Sequence, residues 1–112
     1  MLGEIDFLQG EKAFTTALNA DEGLNMDYVY DSLDLFQNAS KVAFAQHDIE
    51  LEARCEAKLG KIYDKVLKKQ VKAMIHFNSV MRLANSLKPR DVTQTPWYRE
   101  AMQAKEKIQR DR

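Results

Sequence analysis

The chain of 112 residues has the size of one domain with one hydrophobic core, and it is too short for two independent domains. Hydrophobic residues make up 45% and charged residues 30%, and the scarcity of Gly (4) and Pro (2) argues against a turn-rich β protein. The seventeen bases and seventeen acids cancel, but residues 1–52 carry a net charge of −9 and residues 53–112 a net charge of +9.

The first two predicted helices lie in the acidic half. The first extends from about Glu4 to Ala20, and the sequence Asp21-Glu22-Gly23 is expected to end it. Its clearest apolar cluster is Phe14, Ala17 and Leu18. The second extends from about Met26 to Gln46, with Asn25 as its cap. Its apolar residues recur at steps of three and four, which places them on one helix face: Val29, Leu33, Phe36, Ala39 and Ala43.

Two more helices are predicted in the basic half. The third extends from about Ile49 to Leu67, with Asp48 as its cap. The fourth extends from about Gln70 to Leu87 and ends before Pro89, because the residue before a proline is pushed out of helical geometry. The apolar stripe of the third helix is Leu51, Cys55, Leu59, Ile62 and Val66. That of the fourth is Ala73, Phe77, Val80, Ala84 and Leu87.

The fifth helix has the sharpest start signal in the chain. Thr95 is placed to cap it, and Pro96 occupies the first helical position, where no amide hydrogen is needed. The residues that then share one face are Trp97, Ala101, Ala104 and Ile108. We expect this helix to cover the apolar end of the preceding helices, with Trp97 on the covering face.

No stretch of the chain shows the sustained alternation of a half-buried strand, so no sheet is predicted. The connections are short, which favours antiparallel neighbours. We therefore predict an all-α fold of antiparallel helical hairpins, about five helices in a single domain over residues 1–112, closed by a C-terminal capping helix. The chain could also be one segment of a longer array.

The second and fourth helices match each other at an offset of 41 residues. The aligned pairs are Leu33 with Met74, Phe36 with Phe77, Ala39 with Val80, Val42 with Leu83, and Ala43 with Ala84. Two amphipathic helices can match in this way by chance. The alternative is an array of helical hairpins, in which each hairpin buries its apolar face only by stacking on its neighbours.

One set of residues follows a recognisable order across the third and fourth helices: Leu59, Gly60, Tyr63, Ala73, Phe77 and Ala84. This order resembles the hairpin of the tetratricopeptide repeat (TPR) family. Two stretches further resemble its longer-period members, kinesin light chain and the Leu-Gly-Asn-repeat adaptors: Lys72-Ala73 to Arg82-Leu83-Ala84, and Glu50-Leu51-Glu52-Ala53 leading into Leu59-Gly60. The resemblance implies that the two helices approach closely at Gly60, while Tyr63 and Phe77 fill the space between them. A glycine inside a helix costs about 1 kcal/mol relative to Ala, and close packing would explain that cost.

The chain departs from the family's pattern in several respects. The offset of 41 exceeds the usual period of about 34 residues, and the interval from Tyr63 to Ala73 is one residue longer. The first hairpin shows no Leu-Gly pair, since Leu18 is followed by Asn19. The resemblance is good over residues 49–89, partial over 26–46 and absent over 1–20.

A row of bases follows one face of the third helix: Arg54, Lys58, Lys61 and Lys65. One interpretation is a solvated face, in which Glu50 pairs with Arg54 one turn away. The other is an electropositive groove for an acidic peptide or a carboxylate terminus, because the resemblance places this row on the concave surface. The third helix contains no Asn, so the carboxylate clamp of the chaperone-binding family members is not implied.

Residues that could support catalysis are few. His47 and His76 lie far apart in the chain, and Cys55, on an apolar stripe, is expected in the core. No nucleophile–base pair and no metal-ligand spacing occurs, so we expect neither an enzyme nor a cofactor or metal site. The single cysteine and the lack of a long apolar run favour a cytoplasmic protein that does not insert in a membrane.

The sequence thus predicts a non-catalytic protein–protein interaction module, an adaptor or scaffold whose basic row binds an acidic peptide or a partner helix. Nucleic acid is not expected, because the acidic half would repel phosphates and no known nucleic-acid motif is present. The alternative is a self-assembling helical protein whose oppositely charged halves attract other copies. The two halves could equally pack side by side and neutralise each other.

Overall fold

The computed structural model describes residues 2–19 and 24–111, and over these residues the chain is helical with no strand. The helices are α1 (Leu2–Leu18), α2 (Met26–Ala45), α3 (Ile49–Lys61), α4 (Gln70–Ser86) and α5 (Pro96–Arg110). A π-helical turn, Ile62–Val66, prolongs α3. The all-α prediction is confirmed. The predicted end of the first helix at Ala20 and the break at Asp21-Glu22-Gly23 lie outside the described residues.

Side-chain caps fix where two of the helices begin. The carboxamide of Asn25 accepts a backbone amide of the first turn of α2 at 3.0 Å, and the carboxylate of Asp48 does the same for α3 at 3.1 Å. Both caps were predicted. Thr95 precedes α5 in an extended conformation, but its hydroxyl donates to the carbonyl of Val92 at 2.6 Å and caps nothing. Thr95 therefore occupies the predicted N-cap position, but the capping hydrogen bond expected from its side chain is absent, and Pro96 follows at the start of α5.

The helices form two hairpins and a cover. α1 packs on α2, α3 packs on α4, and α5 lies against both α3 and α4. One buried cluster joins the first hairpin (α1–α2) to α3, and a second joins α3, α4 and α5. The predicted apolar faces of α2 and α3 point into these clusters, and so do Ala73, Phe77 and Val80 of α4. The other two residues predicted for that face lie outside the clusters, since Ala84 is buried elsewhere and Leu87 is half-buried. On α1 the prediction is partly wrong, because Leu18 is 55% exposed while Phe7, which was not singled out, is buried.

Each hairpin contains one close contact between a glycine and a phenylalanine ring. Gly60 of α3 is buried against Phe77 of α4, and a Cβ atom placed on it would lie 2.5 Å from the ring. Gly10 of α1 faces Phe36 of α2, and its Cβ would lie 3.0 Å from that ring. The expected close approach at Gly60 is therefore present, and the first hairpin has its own counterpart in Gly10.

Left-handed residues make the two sharp corners around α3. His47 has a φ of 59° directly after α2, and the amide of Asp48 donates back to the carbonyl of Ala43 at 2.9 Å. This is the 6→1 bond of a Schellman motif, which ends a helix when the next residue takes a left-handed conformation. Lys68, with a φ of 56°, turns the chain from the π-helical turn into α4. The corners allow α3 to run antiparallel to both neighbours.

Candidate protein-binding groove

A groove runs along α3 between α1 and α5. It consists of two depressions of about 330 and 310 Å³ that share Ala57 and Glu100 in their walls, so they adjoin each other along α3. The groove follows the face of α3 that carries the predicted basic row. We call the part between α3 and α5 the lysine end, and the part bordered by α1 the α1 end.

The lysine end has an apolar floor and a charged rim. Small or apolar side chains form the floor: Ala57, Phe77, Ala101 and Ala104. The rim carries the bases Lys61, Lys65 and Lys107 and the acids Asp64 and Glu100. None of these five charged residues takes part in an ion pair among the described residues. Small floor residues leave room for the side chains of a bound segment, while the lysines remain available to a carboxylate.

At the α1 end, α1 already neutralises the basic row. Arg54 lies 3.5 Å from Glu4 and Lys58 lies 3.6 Å from Glu11, as measured between the charged atoms. The guanidinium of Arg54 also lies 4.5 Å above the centre of the Phe7 ring. Partly exposed pairs of this kind contribute at most about 1 kcal/mol each, but they occupy the positive charges. The row therefore divides into a paired half, Arg54 and Lys58, and a free half, Lys61 and Lys65.

The pairing of Glu50 differs from the sequence-based interpretation. Glu50 was expected to pair with Arg54 within α3, but its carboxylate contacts Arg90 of the loop between α4 and α5. The expected Glu50–Arg54 pair is absent because Arg54 turns toward α1, where Glu4 and the Phe7 ring both favour its guanidinium. The heptad spacing of Glu4 and Glu11, which puts both on one face of a helix, is the signal that could have revealed these partners.

The residues predicted to build the hairpin occupy the core around the groove. Leu59, Gly60, Ala73, Phe77 and Ala84 are buried, and Tyr63 is half-buried between the two clusters. Trp97 is half-buried, packs on the second cluster and lines the α1 end of the groove. It therefore covers the second cluster, as predicted, and also contributes to the groove wall. Sequence reasoning missed Lys107 and Glu100, because a polar helix face gives no sign of which neighbour it will meet.

The opposite side of α3 is held by a polar network. Glu56 accepts a hydrogen bond from Ser40 of α2 at 3.2 Å and contacts the ring of His76 of α4 at 2.5 Å. The His76 ring stacks on Tyr63 with its centre 5.4 Å away. Both α2 and α4 are thereby fastened to the face of α3 that points away from the groove. His76 therefore has a structural role, because its contact with Glu56 joins α4 to α3.

The remaining residues considered for catalysis or metal binding, Cys55 and His47, lie in structural positions. Cys55 is fully buried, and burial raises the pKa of its thiol to about 12. His47 ends α2 as described above and is exposed. Within residues 2–19 and 24–111, no group of three or more His, Cys, Asp or Glu side chains could hold a metal ion. None of the described helices combines the length and the apolar character that a membrane span requires.

Comparison with known protein families, with curated proteins and with solved structures finds no match to this chain. The assignment of a function consequently depends on the geometry of the groove and on the chemistry of the residues that line it.

Proposed function

We propose that the protein is a non-catalytic interaction module of the TPR-like type, and that the groove along α3 binds an acidic segment of a partner protein. The observation that carries the proposal is the lysine end of the groove, where Lys61, Lys65 and Lys107 surround a floor of alanines and Phe77. An apolar floor with a charged rim suits a peptide that offers both apolar and acidic side chains.

The division of the basic row decides where the acidic residues would bind. Arg54 and Lys58 are compensated by Glu4 and Glu11, so a carboxylate at the α1 end would have to displace an existing partner. Lys61 and Lys65 form no ion pair among the described residues, and together with Lys107 they outnumber the two acids of that rim, Asp64 and Glu100. The acidic part of the ligand therefore binds at the lysine end, and its apolar part extends along the floor toward Trp97. Steering by these lysines would raise the association rate and make binding sensitive to salt.

The repeated glycine–phenylalanine contact supports the TPR-like assignment. In both hairpins a glycine of the first helix admits a phenylalanine of the second, Gly10 with Phe36 and Gly60 with Phe77. The first helix of each hairpin then borders the groove, as the resemblance implies for the concave surface of such arrays. The likeness to TPR hairpins is the argument for a scaffold that displays a groove, whereas the charge of the lysine end is the argument for an acidic ligand.

Binding can be tested with a synthetic peptide in which glutamates flank two leucines, and with a matched peptide that carries glutamines instead. Trp97, the only tryptophan of the chain, lines the groove and reports binding through its fluorescence. We expect the glutamate peptide to bind more tightly than the glutamine peptide. The pair of changes Lys61→Glu and Lys65→Glu should raise its dissociation constant about tenfold or more, since attraction becomes repulsion.

The matched control is the pair Lys12→Glu and Lys41→Glu, which makes the same change in net charge at exposed positions on α1 and α2. These changes should leave peptide binding almost unaltered. If the two peptides bind equally well, or if the control pair weakens binding as much as the Lys61 and Lys65 pair, the proposed groove function is wrong. Helical circular dichroism of all variants must match the wild type for this comparison.

A further inference from the structure

The outer face of α4 is both basic and apolar. The chain contains no acidic residue between Lys65 and Arg90, and α4 lies entirely within this stretch. Val71 and Ile75, one helical turn apart, are 67% and 60% exposed. Lys68, Lys69 and Lys72 surround them and are exposed. We call these five residues the α4 patch.

The outer face of α2 has the opposite charge. No basic residue occurs between Lys12 and Lys41, and α2 carries Asp27, Asp31 and Asp34 at exposed positions. Tyr30 lies among them and is 54% exposed. We call Asp27, Tyr30, Asp31 and Asp34 the α2 patch. None of the charged residues of either patch forms an ion pair within the described part of the chain.

Both patches lie on helices that contact the face of α3 opposite the groove. Glu56 of α3 contacts both Ser40 of α2 and His76 of α4, which places α2 and α4 on this same face of α3. Both helices run antiparallel to α3 and are therefore parallel to each other. The acidic patch occupies the first half of α2, and the basic patch spans the start of α4 and the two residues before it, so both lie toward the same end of these parallel helices.

We propose that these patches are the self-association surface of the protein, and that a second copy of this chain is their partner. A twofold axis parallel to the helices places the α2 patch of one copy on the α4 patch of the other, and the reverse contact forms at the same time. In such an isologous dimer, the other copy covers both patches of each chain, so the assembly is closed. Tyr30 then packs against Val71 and Ile75, and the aspartates of each copy face the lysines of the other.

An anionic membrane would satisfy the α4 patch alone. It would leave the adjacent aspartates of the α2 patch facing a negative surface, where like charges repel. A second copy complements both patches, and for that reason the structure favours it. The inference is independent of the proposed groove function, because the groove and the patches lie on opposite sides of α3.

The experiment is sedimentation equilibrium of charge-reversal variants at low salt, at about 0.01 M, where screening is weak. The acidic reversal is Asp31→Lys with Asp34→Lys, and the basic reversal is Lys69→Glu with Lys72→Glu. We expect the wild type to dimerise and each reversal alone to raise the dimer dissociation constant about tenfold or more. All four changes together leave patches of about +1 on α2 and −1 on α4, which are again complementary, so this variant should dimerise more tightly than either reversal alone.

The matched control is Glu106→Lys with Asp111→Lys, which makes the same charge change as the acidic reversal at exposed positions outside both patches. It should dimerise like the wild type. A monomeric wild type at low salt would overturn the inference, and so would a fourfold variant that remains helical but dimerises no more tightly than either reversal alone. The second experiment is flotation of the protein with anionic lipid vesicles. If the wild type is monomeric and binds the vesicles, and if the basic reversal abolishes this binding, the α4 patch is a membrane-binding surface instead. Peptide binding in the groove should be unchanged in all these variants, so failure of one proposal leaves the other measurable.

Discussion

Gly60 and Gly10 illustrate how a single missing Cβ atom sets the distance between two helices. Both sit inside helices, where glycine is unfavourable by about 1 kcal/mol relative to alanine. Both face a phenylalanine ring, but the space differs: an added Cβ would approach the ring to 2.5 Å at Gly60 and to 3.0 Å at Gly10. The first distance requires the ring or a helix to move, whereas the second requires a shift of a few tenths of an ångström.

Gly60→Ala should lower the free energy of unfolding by about 1–2 kcal/mol, because overpacking costs about 1–3 kcal/mol and the gain in helix propensity offsets only part of it. Gly10→Ala is the matched control and should cost clearly less. Chemical denaturation followed by circular dichroism gives both values. A double-mutant cycle with Phe77→Leu, which removes the ring edge, should show a coupling of about 1 kcal/mol or more. Additive effects would contradict the packing argument.

Glu52 supplies a prediction about pH. Desolvation by burial raises the pKa of its carboxyl above the ordinary value of 4.5, outweighing the nearby Arg82, which lowers it, and Glu56 adds to the rise. The folded state therefore prefers the protonated form, and the ionised carboxylate costs stability once the pH exceeds the raised pKa. Glu52→Gln should stabilise the protein at pH 7 by less than about 1 kcal/mol, since the side chain is only half-buried.

The stabilisation by Glu52→Gln should shrink as the pH falls toward the ordinary pKa of 4.5 and vanish below it, because the wild-type carboxyl is then protonated in both states. Thermal unfolding at a series of pH values measures the difference. Glu106→Gln, at an exposed position on α5, is the control and should show no such trend. A Glu52→Gln difference that grows at low pH would contradict the assigned direction of the pKa shift.

At the scale of elements, the end of α3 departs from a regular helix. The amide of Leu67 donates to the carbonyl of Ile62 at 3.0 Å, a five-residue step that closes a π-helical turn. Such a turn accommodates an extra residue within a helix. The interval from Tyr63 to Ala73, which is one residue longer than in the tetratricopeptide pattern, overlaps this turn. Tyr63 lies in this widened turn, and its ring stacks on the ring of His76 in α4.

Helices α2 to α5 were predictable because their apolar residues recur with helical spacing and their starts carry local signals such as Asn25, Asp48 and Pro96. The π-helical turn was not predictable, since no residue type marks it. In α1 the sequence suggested Leu18 and overlooked Phe7, because which side of a helix is buried depends on where its partner lies. The basic row was evident, but its division into paired and free halves depends on how α1 docks.

At the scale of the whole molecule, the described residues of the two oppositely charged halves form ion pairs with each other in three places. Glu4 and Glu11 of the acidic half reach Arg54 and Lys58 of the basic half across the groove. Contact between Glu50 and Arg90 links the start of α3 to the loop before α5. Most of the opposite charges on α2 and α4 remain on the surface. Internal neutralisation among the described residues is therefore partial, which leaves charge for the proposed groove ligand and for the proposed second copy.

α3 contributes to both buried clusters, so the two hairpins should unfold together. Cys55 belongs to the first cluster, and Gly60 packs against Phe77 of the second. Because the Cys55 thiol is buried and its pKa is raised to about 12, it should react with an aromatic disulfide reagent only when the protein opens. The labelling rate then measures the population of the opened state.

If opening is global, Gly60→Ala should speed the labelling of Cys55 by the factor that its loss of stability predicts, about tenfold for 1.4 kcal/mol. The control is the rate in denaturant, which should be the same for both proteins. If the first hairpin opens alone, the change at Gly60 in the other cluster leaves the native labelling rate as it was. That result would mean that α3 does not couple the clusters, and that the groove is bordered by two units of independent stability.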